Sequence, residues 1–580
     1  MYFEGDHQKF NENIKGAVYE VLLKHMFFGG DWKDQLKSTV NSGIPRWLEK
    51  GLINYLVKEW DADIESRVKD LVLTKKIDNF NDLTEAEKVY AGTAVWNYIA
   101  ETHGKTIIPN IIYITRVTKN VVRGFFSLLG MDFAKLSRNY ISFYRSRYID
   151  EYESQTEPQG DLVRIKNKKE AVYYGMQLHP NGDKLAYVEN RLGRYKVKIL
   201  DTLSGKAQTI YARETKMERL QDYSFPVLRW HPSGDALAFF SEVNGELKLF
   251  IYSLASETIV DKTMKDMDKI LDFGYSKDGK KMVISAVLKG QSDLYIYDIT
   301  SKRITQITDD LYDDLNPQFI EGSEKVIFAS NRPNDTIYKK PDINFFDAKN
   351  DLFIYDLKEI DRNYKYLERV TNTPHDNETS PYEISKGKFI YLNDKNGIVN
   401  QFIAEKDSSI SFIDTIIHYK YNTKLSPTTN YVTSIREQSI NNSGKIVYSF
   451  YQNNQFKTYI GDANLEKVEV LWNTTYMQKR IDKRKKLEKK KNNQELENDT
   501  IYLDGLKYKK EIIEIGGGDK PEIIVIDSVS SDSVIRKPKL KTSAYTLYQQ
   551  NFAKDFVLSQ FDNNFSFLTY LPNSAPGSVS

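Results

Sequence analysis

The sequence predicts a multidomain α plus all-β chain: a helical region, a six-bladed β-propeller and a C-terminal β-rich segment. Two observations carry this. The apolar period is helical up to about residue 150 and switches to two from about 160 to 475. Within the second stretch a strand, a glycine turn and a hairpin partner recur six times, with the glycines at Gly182, Gly234, Gly279, Gly322, Gly387 and Gly444. The first four are spaced by 52, 45 and 43 residues. A four-stranded unit repeating at such intervals is how a propeller blade looks in sequence. The expected divisions are 1–155 helical, 160–475 propeller, 476–500 charged linker and 501–580 β-rich.

Taken in order, "NENIKGAVYEVLLKHMFFGG" places Ile14, Val18, Val21, Leu22 and His25 on one helical face, expected to be buried, and stops at Gly29-Gly30. Further helices are expected over Pro45–Trp60, Asp63–Leu73, Glu85–His103, Ile107–Thr118, Val121–Leu129 and Asp132–Tyr148. "NDLTEAEK" is a capped start in which the Thr84 hydroxyl is answered by Glu87 three residues on. In the propeller, "HPNGDKLAYVEN", "WHPSGDALAFFSE", "YSKDGKKMVISAV" and "FIEGSEKVIFASN" each turn at a glycine that relieves a positive φ. Second hairpins follow, such as "SDLYIYDITSKR" and "NDLFIYDLKEI", with Leu294 and Ile296 on one face and Tyr295 and Tyr297 on the other. Ring closure is assigned to "DLVRIKN", Asp161–Asn167, joining the blade that contains "GKIVYSFYQNNQFKTYIGD". "KRIDKRKKLEKKKNNQELEND" reads as a solvated linker, because no aromatic interleaves with its lysines and acids lie within and behind it.

Composition narrows the chemistry. Lys plus Arg number 82 against 80 Asp plus Glu, a net charge of +2 that points to no nucleic acid or acidic partner. There is no Cys, which excludes disulfides, thiolate zinc sites and cysteine nucleophiles. No apolar run reaches the roughly 18 residues of a membrane-spanning helix. The polar start and the "NSAPGSVS" end read as those of an internal piece of a longer protein.

No G-x-S-x-G elbow is present, so a serine hydrolase of the propeller–hydrolase plan is not expected. The histidines are His7, His25, His103, His179, His231, His375 and His418, and no two are four apart, as H-E-x-x-H requires. His179 and His231 read as turn residues. "DDLYDDLNP", Asp309–Pro317, is the densest carboxylate cluster; an inter-blade turn outweighs a calcium site there, since the regular calcium loop is missing.

The repeats "HPNGDKLAY", "HPSGDALAF", "YSKDGKKMVIS" and "NPQFIEGSEKVIFASNRP" resemble the TolB-type propeller repeat, S-P-D-G-K-x-I-A-F, often followed by S-x-R. The helical region resembles the back half of peptidase-MA-like gluzincins. "IPRWLEKGLINYL" is similar to their P-x-W-x-x-E-G-L-A-x-Y, with Pro45, Trp47, Gly51, Leu52 and Tyr55 in place. The departures fall on the catalytic positions: Lys50 stands for the ligand glutamate, with Glu49 about 100° round the helix. Upstream, Tyr19 and Leu23 replace the histidines and Glu20 remains. The combination resembles large envelope proteins of Bacteroidota-type bacteria, which implies a periplasmic or outer-membrane-associated setting.

The expected function is therefore a non-catalytic scaffold binding protein partners in the cell envelope, with no cofactor and no metal at the relic positions Tyr19, Glu20, Leu23 and Lys50. The rival is a hydrolase whose site is degenerate here or completed by further sequence. Outer-membrane association is expected through sequence beyond the C-terminus. The candidate partner-binding residues are Tyr338, Phe345 and Phe346 in the insertion "NRPNDTIYKKPDINFFDAKND".

Overall fold

The computed structural model describes residues 3–28, 43–58, 60–213, 223–337, 348–360, 366–413, 417–470, 475–483 and 486, with short strands at 501–503, 506–508, 512–514 and 523–525. It has two compact units, Met1–Lys479 and Arg480–Ser580. In the second, the described strands form two antiparallel pairs, Ile501–Leu503 with Leu506–Tyr508 and Ile512–Glu514 with Ile523–Val525.

The first unit opens with helices α1 (His7–Phe28), α2 (Arg46–Lys58), α3 (Ala62–Leu73), α4 (Glu85–His103), α5 (Ile107–Thr118), α6 (Val121–Leu129) and α7 (Phe133–Tyr152). The expected capping box starts α4: Thr84 accepts from the Glu87 N–H, and the Glu87 carboxylate accepts from the Thr84 N–H. One expectation is overturned. On α1 the face carrying Ile14, Val18 and Val21 is exposed, at 39%, 51% and 65%, while Leu23 and Phe27 are buried. Leu22 and His25 are half-buried. The helix has apolar residues on both sides, and α2 lies against the other one, where Gly16 faces Val57.

Six four-stranded antiparallel sheets follow. Blade one holds β2 (Ala171–Leu178), β3 (Lys184–Arg191), β4 (Arg194–Asp201) and β5 (Ala207–Arg213). Blade two holds β6 (Val227–Trp230), β7 (Ala236–Val243), β8 (Glu246–Ser253) and β9 (Ile259–Thr263). Blade three holds β10 (Lys269–Tyr275), β11 (Lys281–Leu288), β12 (Gln291–Asp298) and β13 (Ile304–Gln306). Blade four holds β14 (Asp314–Ile320), β15 (Lys325–Ser330), β16 (Asp351–Asp356) and β17 (Glu368–Arg369). Blade five holds β18 (Glu378–Ser385), β19 (Lys388–Asn393), β20 (Asn400–Ile413) and β21 (Ile417–Pro427). Blade six holds β22 (Ile435–Ile440), β23 (Lys445–Gln452) and β24 (Gln455–Asp462), and is completed by β1 (Asp161–Val163) with Leu162 opposite Tyr459. The closure is thus where the sequence places it, and it leaves β24 no open edge over these residues. The first strands of successive blades are neighbours, and β2 returns beside β22, so the ring is closed.

All six turn glycines adopt positive φ, from 69° at Gly322 to 82° at Gly234. The histidines beside two of them have a packing role. The His179 ring lies against Trp230 and its Nε2 is 3.0 Å from the Gly234 carbonyl of the next blade. The His231 ring likewise fills the space over Gly279.

A second device repeats on the third strands of blades three, four and five. The first residues of β12, β16 and β20 include Asp293, Asp351 and Asn400. Each side chain accepts a backbone N–H from the segment leaving the fourth strand: Asp310 (3.4 Å), Thr373 (2.8 Å) and Tyr431 (2.8 Å). Beside each, Thr308, Thr371 and Thr429 cap the N–H groups of Leu294, Leu352 and Gln401. These bonds occupy backbone donors that would otherwise be buried unpaired between blades.

After the last blade the chain returns to the helices. Tyr476 enters their core, its hydroxyl accepts from Asn97 Nδ2 (2.9 Å), and its N–H donates to Glu151 (2.6 Å). The helices sit on the propeller face that bears the turns between second and third strands. There Asp70 accepts from the Asn453 N–H (3.1 Å), Arg67 stacks 4.0 Å over Tyr451, and Thr156 exchanges backbone bonds with Asn430 and Val432. The N-terminal arm reaches the same face, with Gly5 accepting from Ser292 and His7 bonded to Asp313 at 2.6 Å.

Candidate functional site

Three places in the first unit gather chemistry-bearing residues: the positions Tyr19, Glu20, Leu23 and Lys50 on α1 and α2, a buried carboxylate cluster between blades, and the central channel.

At Tyr19, Glu20, Leu23 and Lys50 the structure assembles packing and surface. Leu23 is buried in the helical core, Tyr19 is half-buried, and Lys50 is exposed. Glu20 is paired with Lys24 one turn on, at 2.6 Å. Glu49 is half-buried, and burial holds its carboxyl above the usual range despite the charge of Lys24 nearby. Trp47, Gly51, Leu52 and Tyr55 belong to a helix crossing. A Cβ on Gly51 would lie 2.6 Å from the backbone of Gly92 on α4, and one on Gly92 would lie 2.8 Å from the Trp47 carbonyl. Trp96 donates to the Leu48 carbonyl (2.9 Å), and Leu52 and Tyr55 are buried beneath it. Gly51→Ala should therefore cost the first unit about 1–3 kcal/mol, because backbone must move to admit one methyl. Urea unfolding would check this; a change under about 0.5 kcal/mol would mean the crossing relaxes freely. The buried charge of this region lies elsewhere: Lys69 bonds Glu151 (3.2 Å) and Gln155 (2.5 Å), with its pKa lowered by burial.

The "DDLYDDLNP" cluster is drawn together with residues that sequence reasoning left out. Asp293, Asp310 and Asp314 offer oxygens within 4.8 Å of one another, the one such group among the described residues. The positive charge in their midst is Arg332, wholly buried, bonded to Asp310 (2.9 Å) and to both oxygens of Asp314 (2.6 and 2.8 Å). Burial and the Asp314 charge push the Asp293 carboxyl up to about 8, and burial pushes Asp310 up to about 6 against the pull of Arg332. A guanidinium matched to two carboxylates does here what a cation would do. The inter-blade structural role follows. The signal for Arg332 was present in the S-x-R of "FASNRP", and that for Asp293 in the paired "SDLYIYD" and "NDLFIYD" lines.

The channel is bounded by the six first strands and crossed by a closed belt of hydrogen bonds. The Trp230 indole donates to the Gln177 carbonyl (3.0 Å), joining blades one and two. Arg229 pairs with Asp272 (2.8 Å), which accepts from Asn316 (3.1 Å), which accepts from the Ser380 N–H (3.3 Å). Gln438 donates to the Ser380 carbonyl (2.9 Å), and Glu437 accepts from the Met176 N–H (3.1 Å) to close the circuit. Burial holds the Glu437 carboxyl above its usual range. Beside this belt a cavity of about 550 Å³ is lined by every blade, among them Gln177, Arg229, Lys277, Gln318, Glu383 and Asn441. Its lining includes Pro180, Pro232, Gly322 and Gly444, so it lies toward the glycine-turn face, opposite the helices. The candidate partner residues Tyr338, Phe345 and Phe346 lie outside the described residues.

Fold and channel together define a closed six-bladed β-propeller that carries a helical domain on one face. No family model matches the chain, and no curated protein does. Among solved structures it is similar to TolB from Acinetobacter baumannii, at 15% identity over 58% of this chain and 71% of that one, with a TM-score of 0.32. It is also similar to the β-propeller domain of the Trilobed protease from Pyrococcus furiosus, at 14% identity over 51% and 100% (TM-score 0.32). A third is oligogalacturonate lyase from Vibrio parahaemolyticus, at 11% identity over 53% and 98% (TM-score 0.32). Propellers host unrelated activities, so function must be argued from the site.

Proposed function

We propose that this chain is a non-catalytic, protein-binding scaffold of the bacterial cell envelope, built from a TolB-like propeller and a peptidase-like helical domain that has lost its metal ligands. The observation that carries the reading is the division of the two propeller faces. The helices and N-terminal arm engage one face, while the other presents a polar cavity to which all six blades contribute. Exposed loops around such a rigid ring are suited to recognition. Tyr19, Leu23 and Lys50 supply neither imidazole nor carboxylate, which is why the helical domain is read as a platform and not as a zinc hydrolase. The envelope setting rests on the repeat resemblance and the lack of cysteine. No helix among the described residues is long and apolar enough to cross a membrane.

The test is photo-crosslinking in living cells, with the crosslinking residue placed at Lys277 by the cavity, at Tyr338 in the β15–β16 insertion, or at the exposed Glu257 as control. Discrete protein adducts are expected from Lys277 or Tyr338 and not from Glu257. Adducts no different from the Glu257 background at both positions would sink the scaffold reading.

A further inference from the structure

Between Glu101 and Asp132 the chain carries no acidic residue, while Lys105, Arg116, Lys119 and Arg123 are basic. This stretch forms α5 and α6, which pack as a tight hairpin. A Cβ on Gly124 would lie 2.9 Å from Thr115 Oγ1 and 3.0 Å from the Ile111 carbonyl. Thr115 and Gly124 thus mark the facing sides of the two helices. Residues two before and two after each lie about 160–200° round the helix and point away from the contact. Those residues are Tyr113, Val117, Val122 and Phe126, and all are large and apolar. Their exposures are 52%, 64%, 42% and 64%. The inner side is apolar as well, with Ile108, Ile111, Ile112, Val121 and Phe125 in the core. A helix pair with large apolar side chains on two opposite sides ordinarily has both sides covered.

We propose that the α5–α6 hairpin docks on the surface of a bilayer bearing anionic headgroups, with Tyr113, Val117, Val122 and Phe126 at the acyl boundary. The sign of the charge selects this occupant. Every charged side chain of the two helices, Arg116 and Arg123, is basic, which complements anionic lipid; Lys119 at their junction is basic too, its ammonium donating to the Phe27 carbonyl (3.3 Å). A second copy of the chain seated on the same face about a twofold axis would set those charges against themselves. The contact is peripheral: the two helices run Ile107–Thr118 and Val121–Leu129, each too short to span a bilayer. The inference does not depend on the protein-partner reading of the channel.

The test is co-sedimentation of the full chain with phosphatidylcholine vesicles made with and without phosphatidylglycerol. Binding is expected with phosphatidylglycerol and should weaken as salt rises. Val117→Ser with Phe126→Ser should weaken binding at least about tenfold, and Arg116→Gln with Arg123→Gln should weaken it to a lesser degree and flatten the salt dependence. Both pairs should melt with the wild type. The second pair keeps the test decisive if the first fails to fold. Sedimentation unaffected by vesicles would overturn the proposal, as would wild-type binding by both pairs. So would a wild-type dimer in light scattering that the serine pair dissociates, since the face would then belong to a second copy.

Discussion

Replacing Arg332 with methionine will cost the propeller about 3–5 kcal/mol, the largest single-residue loss expected in this chain. The side chain is wholly buried and its guanidinium serves Asp310 and Asp314 at once. Removing it strands two carboxylates in a site where Asp293 is already held protonated near neutral pH by burial and by their charge. Tyr312, Phe328 and Phe353 ring the same guanidinium at 5.7–5.9 Å, so no water shell stands ready to replace it. Arg332→Lys should recover little, because one ammonium cannot reproduce a fork to two acids. Adding Asp310→Asn and Asp314→Asn to the methionine variant should restore part of the loss by neutralising what was stranded. Urea unfolding of the single and triple variants decides it. A methionine variant within about 1 kcal/mol of wild type would show that the cluster relaxes or takes up another cation.

Glu378→Gln should have the opposite sign, with a gain that grows as pH rises above about 4.5 and levels off above about 8. In blade five the position related to Asp314 by the repeat is Glu378, fully buried, and no arginine among the described residues bonds it. Its Oε1 accepts from Thr373 (2.8 Å) and Asn393 (3.1 Å), while Oε2 and the nearby Tyr391 hydroxyl lack hydrogen-bond partners among the described residues. Burial pushes the carboxyl from 4.5 up to about 8. The folded chain therefore holds this proton more tightly than the unfolded chain does. Stability from it is complete below about pH 4.5 and is lost as pH rises through about 8, on the order of 4 kcal/mol in all. Glutamine keeps the carbonyl acceptor and never ionises. The variant should match wild type near pH 5 and exceed it near pH 9, which thermal melts across that range would show. Parallel pH profiles for the two proteins would refute the buried, protonated carboxyl.

Much of this architecture was legible because its causes are local. A turn position at positive φ favours glycine for local steric reasons, so Gly182 to Gly444 mark six blades before any contact is known. The Thr84–Glu87 box needs only four residues to start α4. The closing strand at Asp161–Val163 was legible for a different reason: a ring of sheets leaves one unpaired edge, and one strand-like segment stood ahead of the repeats.

What the sequence could not settle depends on which distant surface arrives. α1 has apolar residues on two sides, and periodicity alone favoured Ile14, Val18 and Val21; the neighbouring helices instead took Leu23 and Phe27. The acidic run around Asp310 read as a turn. Its balancing charge comes from Arg332, across a strand pairing whose register no local pattern specifies. The channel belt draws its side chains and backbone groups from six separate strands, so no window of sequence contains it. The "IPRWLEKGLINYL" stretch shows both sides at once. Its spacing named Trp47, Gly51, Leu52 and Tyr55 together, but only the approach of Gly92 to Gly51 shows that what they form is a helix crossing. Backbone preference acts within a few residues and is written in order along the chain, whereas burial and charge balance belong to surfaces that meet only on folding.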